Sequence, residues 1–369
     1  MNTRPCRNVY VHVPFCNGKC AYCAFYSEPE VNPASVTQWL DRLENDAARK
    51  SEQTLTLDTL YIGGGTPTAL PPEALKRLFR ILERHFSFQP GAEISIECNP
   101  ESLTEEKAEI LARHVNRVSM GVQSFRPGFR EKIGRRPSDP HAVETALRLL
   151  RANGIDNIGF DLIYALPGET LADWREELDT ALSHEVRHIS AYSLSIEEGT
   201  ELAARKLPPE DNELSFAMWE AAQEILAAHG MPRYEISNYA AREHECCHNQ
   251  NVWHAEPYLG LGPAACSFDG AVRFTEVSPL ARWLAGNPPE ADVIRDEKRL
   301  GEMFIMGLRT VRGWGKNEFS RVSPLPWREM WSTIIGKQLQ DGMLQETPDR
   351  IFPTEKGLAF WNDLAEAYL

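Results

Sequence analysis

The sequence predicts an α/β fold: a parallel sheet with outer helices, followed by a helical, winged-helix-like C-terminal module. Two observations carry this. From Asn8 to about Thr200 one rhythm repeats: a short β-branched or aromatic run, a polar or glycine-rich turn, then a helical pattern. Six such βα units in series make a parallel sheet with outer helices. From about Asp296 the pattern is helical, and "WREMWSTIIGKQLQDGMLQETPDRIFPTEKGLAFW" reads as helix, short hairpin, helix.

The strand candidates in order are "NVYVHVPF", "TLYIGG", "EISIECN", "RVSMGVQS", "NIGFDLIYAL" and "HISAYSLSI". Between them lie helical stretches. In "PPEALKRLFRILERHF", Leu75, Leu78, Phe79, Leu82 and Phe86 recur at helical spacing and make one apolar face. Thr104 is a candidate N-cap, with Glu105 and Glu106 in the first turn where the helix dipole favours them. Asp139 stands before Pro140 at a further helix start. Polar residues follow each strand, where parallel α/β sheets and barrels keep their active sites. After Tyr234 the rhythm fails. Residues 1–234 are expected to form the βα domain, 235–295 a linker region rich in turns and aromatics, and 296–369 the C-terminal module.

The 369 residues are 42% hydrophobic and 25% charged, with a formal net charge of -14. An acidic chain without clustered Lys and Arg is a poor nucleic-acid partner, and Lys337 and Arg350 give the C-terminal module no basic recognition face. No apolar run suits a signal peptide or a bilayer span, so no transmembrane segment and a cytoplasmic location are expected. In that compartment clustered cysteines point to metal or catalysis before disulfides.

Of eight cysteines, Cys16, Cys20 and Cys23 cluster within "CNGKCAYCAF". Zinc usually wants paired C-x2-C elements with two further ligands elsewhere, which Cys246, Cys247 and His248 could supply. A redox pair would use Cys20 and Cys23 and leave Cys16 idle. Burial in a core fits poorly beside Asn17, Gly18 and Lys19. Three thiolates on a four-iron cluster leave one iron open to an outside ligand.

The C-x3-C-x2-C spacing, with Tyr22 before the last cysteine, resembles the radical S-adenosylmethionine (SAM) superfamily. The resemblance implies a partial (β/α)6, TIM-like barrel, with a [4Fe–4S] cluster on Cys16, Cys20 and Cys23. SAM would chelate the open iron and be cleaved on reduction to a 5′-deoxyadenosyl radical. "GGGTP" ends the second strand, and the family uses this stretch to meet the amino group of SAM; Gly64, Gly65 and Thr66 are its candidates, with Tyr10 and Tyr22 beside them. Glu97 in "IECNP" is a ribose partner, Gln123 ends the fourth strand, Arg135 could meet the SAM carboxylate as a fork donor, and Asp161 is a buried or pocket carboxylate. The bland readings are a tight turn for the glycines and solvated surface charges for Glu97 and Arg135. One such residue after each successive strand favours the pocket.

"YVHVPFC", "GGGTPT", "ECNP", "VSMGVQSF" and "FDLIYALPGET" are similar to the oxygen-independent coproporphyrinogen III oxidase group over nearly the whole chain. Its porphyrinogen-decarboxylating dehydrogenases carry a further Cys two residues after the last cluster ligand. Phe25 stands there, as in the HemW-type haem chaperones, which also carry an H-N-x-x-Y-W element; this chain has "HNQNVW", with Val252 in place of Tyr. The resemblance thus implies haem as a third cofactor. His248, Cys246 or Cys247 would ligate its iron, Trp253 and Tyr258 would wall it, and Asn249 would orient the imidazole. Lying after the sixth strand, the element is expected to fold over the barrel mouth. The function implied is delivery of haem to apo-haemoproteins, respiratory and membrane-associated ones among them. The alternatives are coproporphyrinogen III decarboxylation, another radical SAM reaction, and a zinc-stabilised DNA-binding regulator.

Overall fold

The computed structural model describes residues 5–135, 139–205, 211–293, 296–323 and 325–369, all with side chains except Gln53 and Leu55. The chain opens with β1 (Cys6–Val13), α1 (Pro33–Lys50), β2 (Thr54–Gly64), α2 (Pro72–His85), β3 (Phe88–Cys98) and α3 (Glu105–Ala112). It continues with β4 (Arg117–Gln123), α4 (Pro127–Lys132), α5 (Ala142–Ala152), β5 (Ile158–Tyr164), α6 (Leu171–Ser183) and β6 (His188–Ser193). β1 to β6 pair in sequence order, all parallel. The expected caps are partly in place: the Thr104 hydroxyl accepts from Lys107 N–H, whereas Asp139 caps a turn just ahead of α5 by accepting from His141 N–H.

The alternation along these strands sorts the residues. Val9, Val11, Leu60, Ile62, Ile96, Val118, Met120, Phe160, Leu162 and Ile189 are 0–1% exposed in one core that also holds Leu75, Leu78, Phe79 and Leu82 of α2. They face the helices. The intervening residues, among them Tyr10, Tyr61, Glu97, Arg117, Ser119, Asp161, His188 and Tyr192, point to the other face. Hydrogen bonds there join neighbouring strands: Tyr61 to Glu97 and Ser119 to Asp161. Tyr192 keeps 41% of its surface accessible although burial pushes its hydroxyl pKa up. The inner face therefore encloses a lumen rather than a packed core.

Beyond β6 come α7 (Glu201–Ala204), α8 (Asn212–Ala228), β7 (Asn238–Ala240), α9 (Cys247–Trp253), β8 (Tyr258–Leu261), β9 (Cys266–Phe268), β10 (Arg273–Thr275), α10 (Leu280–Leu284) and β11 (Glu290–Asp292). Residues 235–295 are thus no simple linker. β7 adds antiparallel to β6, and β8 adds parallel to the free edge of β1. The result is one open sheet in the order β11-β10-β9-β8-β1-β2-β3-β4-β5-β6-β7. Leu259, Leu261, Val277, Leu280 and Trp283 join the main core. Strands of three or four residues leave too few alternations to be read from sequence.

The C-terminal module holds α11 (Asp296–Gly307), β12 (Trp314–Gly315), α12 (Lys316–Val322), α13 (Trp327–Met330), α14 (Ser332–Gln340), β13 (Leu344–Glu346), β14 (Arg350–Pro353), α15 (Glu355–Ala359) and α16 (Trp361–Glu366). Its three-stranded sheet and helices surround their own core of Phe304, Trp314, Phe319, Trp327, Trp331 and Tyr368. Arg350 spends its guanidinium on the backbone carbonyls of Arg312 and Gly313. Ion pairs Arg233–Glu355 and Arg309–Glu235 tie the module to the sheet domain.

Candidate functional site

The rim of the lumen, at the C-terminal ends of the strands, is built on the loop after β1. Backbone bonds from Cys16 to Glu28 (3.0 Å), Gly18 to Pro29 (2.9 Å) and Glu28 to Pro14 (2.7 Å) fold this loop back on itself. Ala21 is tied at its N–H to Ile133 and at its carbonyl to Leu202. Cys16, Cys20 and Cys23 are all partly accessible, and the Cys16 thiol lies 3.4 Å from Thr66 Oγ1. Burial raises the pKa of Cys20 and Cys23, and each is raised further by the Cys16 thiol. Among the described residues, no three His, Cys, Asp or Glu side chains close around a single-ion point. A four-iron cluster asks for something wider, one thiolate on each of three irons. The loop offers three thiols and no adjacent fourth, so its donor set fits such a cluster with one open corner.

The glycine run is locked to the same loop. Gly65 N–H donates to Val13 O (2.8 Å) and Thr66 N–H to Phe15 O (2.7 Å). Each glycine leaves room for a neighbour. A Cβ on Gly63 would meet the Glu97 carboxylate at 2.7 Å, one on Gly64 the His12 ring at 2.6 Å, and one on Gly65 the Phe15 carbonyl at 2.6 Å. Gly64 also sits at φ +108. Glu97 accepts from Gly64 N–H (3.0 Å) and Tyr61 O–H (3.2 Å). Burial, with Asp161 nearby, pushes its carboxyl up to about 7. Asp161 accepts from Ser119 Oγ at both oxygens (3.1 Å), and burial raises its pKa as well. Tyr10 donates to His12 Nδ1 (3.1 Å), while His12 Nε2 meets the Tyr26 carbonyl (2.9 Å).

Arg135 is not a solvated surface charge. It is 8% exposed, donates to Gly121 O at 2.7 Å and leaves Nε without an acceptor. Gln123 holds a positive φ of 63 and leaves Oε1 unpaired. A Cβ on Gly121 would meet Gln123 Nε2 at 2.9 Å. Such buried, unmatched donors and acceptors mark where a polar ligand would complete the rim. Gly64, Gly65, Thr66, Glu97, Gln123 and Arg135 lie at or just beyond the C-terminal ends of their strands, Tyr22 lies on the cysteine loop, and Tyr10 and Asp161 lie further down the inner face.

The "HNQNVW" element lies elsewhere. It forms α9, which seals the floor of the lumen rather than covering its mouth. Glu93, early in β3, caps α9 by accepting from Cys247 N–H (2.8 Å) and His248 N–H (3.1 Å). His248 is 4% exposed, its ring 5.4 Å from that of Tyr61, and its Nδ1 lies 2.8 Å from Thr59 Oγ1. Thr59 in turn donates to Asn8 Oδ1 (2.9 Å), so Nδ1 carries the imidazole proton and Nε2 the lone pair. Thr59, not Asn249, orients this ring. Burial and the nearby Arg117 push His248 down to about 3. Cys246 is buried with its thiol 3.6 Å from Glu93, whereas Cys247 is exposed. Trp253 lies against Tyr234 and beneath Arg309, and Tyr258 against Phe268. Among the described ring contacts neither touches His248.

Residues 10–181 match the Radical SAM superfamily model, and 294–360 the HemN C-terminal domain. Heme chaperone HemW of Bacillus subtilis (strain 168) is 32% identical over 98% of this chain and 99% of its own length. Heme chaperone HemW of Lactococcus lactis subsp. lactis is 30% identical over 98% of this chain and 97% of its own. The chain belongs to the HemW family of radical SAM proteins. Its fold is also that of the Escherichia coli radical SAM enzyme coproporphyrinogen III oxidase (HemN), with a TM-score of 0.84 and 22% identity over 99% of this chain and 90% of that one.

Sequence reading missed several inner-face residues: His12, Thr59, Tyr61, Glu93, Arg117, Ser119 and His188. The signal was present as a polar or aromatic residue at every second position of otherwise apolar strands, an alternation that all-parallel sheets buried on both faces lack.

Proposed function

We propose that this protein carries haem and delivers it to apo-haemoproteins, respiratory and membrane-associated ones included, from a radical SAM barrel. The observation that carries the reading is the 32% identity to a heme chaperone over 98% of this chain. Phe25 supports it. It stands two residues beyond Cys23 on the rim loop, is 71% exposed, and offers an apolar ring where a dehydrogenase of the group would need a thiol. Tyr192 and Ile196 expose further apolar surface at the same end of the lumen.

Cys16, Cys20 and Cys23 would hold the [4Fe–4S] cluster, and Gly64, Gly65, Thr66, Glu97, Gln123, Arg135 and Asp161 would hold SAM. When bound, the two together supply one-electron chemistry. The chain's own part is to seat SAM: Arg135 and Gln123 present unmatched polar atoms, and Glu97 offers a carboxylate steadied by Gly64 and Tyr61. For haem iron, His248 is the best-prepared ligand. Thr59 fixes its tautomer, and a ring pushed down to about 3 is neutral at working pH, the form that ligates metal. Cys246 and Cys247 are its competitors. No helix among the described residues is long and apolar enough to cross a membrane, which fits a cytoplasmic carrier that meets membrane clients from one side.

The test is anaerobic reconstitution followed by haemin titration of the wild type, His248→Ala, and Cys246→Ser with Cys247→Ser. A Soret shift saturating near one haem per chain, lost in His248→Ala alone, is expected. Equal affinity in all three would move haem away from α9. Incubation with SAM, a reductant and coproporphyrinogen III should give no protoporphyrinogen; turnover above a cluster-free control would replace the carrier with the dehydrogenase.

A further inference from the structure

The Thr66 hydroxyl stands where a helix cap would use it, and it does not cap. Thr66 is the residue before the short 3-10 turn Pro67–Ala69, a position at which threonine ordinarily accepts from a backbone N–H two or three residues on. Its side chain makes no such bond. Ala69 N–H goes to the Thr66 backbone carbonyl instead (2.9 Å), and the hydroxyl turns the other way, to Cys16 Sγ at 3.4 Å. Among the described residues that hydroxyl has no other hydrogen-bond partner.

The backbone fixes this approach. Gly65 N–H donates to Val13 O and Thr66 N–H to Phe15 O, which holds residue 66 beside residue 16. A Cβ on Gly65 would meet the Phe15 carbonyl at 2.6 Å, so a glycine before Thr66 is what lets the two segments come this close. Thr66 and Cys16 are both partly accessible at the rim. The three thiols also differ in what faces them. Cys23 accepts from the backbone N–H of Phe25, and Cys20 lies near the positive charge of Arg135. Cys16 faces a neutral hydroxyl. While Cys16 keeps its proton, either atom of the pair can donate. As a thiolate on iron it has no proton, so the hydroxyl is the donor. Reduction adds one electron, and so one negative charge, to a cluster. A donor aimed at a ligating sulfur favours that more negative state and raises the potential.

We infer that Thr66 tunes the cluster: its hydroxyl donates to Cys16 Sγ and raises the reduction potential. The inference rests on the cluster reading above and gives Thr66 a task that does not need SAM. The test is a dithionite titration of the reconstituted full chain without SAM, with the reduced cluster counted by electron paramagnetic resonance. Thr66→Val keeps the shape and the backbone bonds and removes the donor. At the wild-type midpoint its ratio of reduced to oxidised cluster should fall about three- to ten-fold, which is about 30–60 mV for one electron. Thr66→Ser keeps a hydroxyl and should stay near the wild type. Equal midpoints in wild type and Thr66→Val, with about four irons on each, overturn the inference, and do so even if Thr66→Val binds SAM more weakly. A Thr66→Ser midpoint that moves along with Thr66→Val overturns it too, because loosening of the loop would then explain both. A wild type that takes up no four-iron cluster removes the cluster reading and the inference with it. If Thr66→Val assembles too little cluster to titrate, Thr66→Ala carries the same comparison.

Discussion

The two ends of the lumen are built by opposite means. At the rim, short loops with strong local motifs are held by backbone bonds: Gly65 to Val13, Thr66 to Phe15, Cys16 to Glu28. The side chains there are left partly accessible or with unmatched polar atoms. At the floor, side chains hold side chains over long sequence distances: His248 to Thr59, Asn251 to Asn8, Cys246 to Glu93. The rim is made to receive groups from outside. The floor is made to keep α9 in place, although Arg117, Ser95 and His188 there each keep at least one buried polar atom without a partner among the described residues. Changes at the rim should therefore act mainly on the cluster and SAM, and changes at the floor should act on stability and leave SAM untouched.

The largest effect should come from the rim loop. Replacing Cys16, Cys20 and Cys23 together by Ala should abolish visible absorption and remove about four irons per chain after anaerobic reconstitution, leaving the apo chain folded by circular dichroism. Zinc in the wild type in place of iron would end the cluster assignment. A rim carboxylate comes next. Glu97→Ala should weaken SAM by about 10- to 100-fold with the cluster retained, since a hydrogen bond to a charged group is worth roughly 1.5–3 kcal/mol. Unchanged affinity by equilibrium dialysis would take Glu97 out of the pocket. The floor should answer differently. Thr59→Val, nearly the same shape, leaves the His248 N–H buried and unpaired and should cost about 1–3 kcal/mol in urea unfolding, with SAM affinity unchanged. A loss of SAM binding in that variant would show that the two ends are not independent.

The smallest effect is in pH, and it has opposite signs at the two ends. Glu97 titrates near 7 in the folded chain against 4.5 for a free carboxyl, so between those values the folded chain holds a proton the unfolded one has lost. Its contribution falls as pH rises through that window. His248 titrates near 3 against 6.5, so between those values the unfolded chain holds the extra proton, and the contribution is lost as pH falls. Glu97→Gln should flatten the first slope only, and His248→Asn the second only, in ligand-free melting curves.

This division also decided what the sequence revealed. The six βα units, the amphipathic α2, the cluster cysteines and the rim residues were legible, because each rests on a local period or a short motif. The location of α9 was not. It depends on Glu93, about 150 residues earlier, and on Thr59 and Asn8, and no local pattern links them. Strands β7 to β11 were missed for a different reason. β8 has four residues and gains its place only by pairing with the first strand of the chain. Arg135 was named in sequence as a fork donor, but its burial was not legible, because packing against a neighbouring strand leaves no mark on the residue's own surroundings in sequence.

The pairing of β8 with β1 has a consequence for how the chain is made. β1 leaves the ribosome before both of its neighbours and lies inside the sheet, with β2 on one edge and β8 on the other. Residue 258 must be synthesised before the second edge is covered, a delay of about 10–50 s at typical translation rates. During that interval the Cys16–Cys23 loop hangs from a strand paired on one side only. The nascent chain thus passes through a stage in which the three thiols are present and the floor that completes the lumen is not.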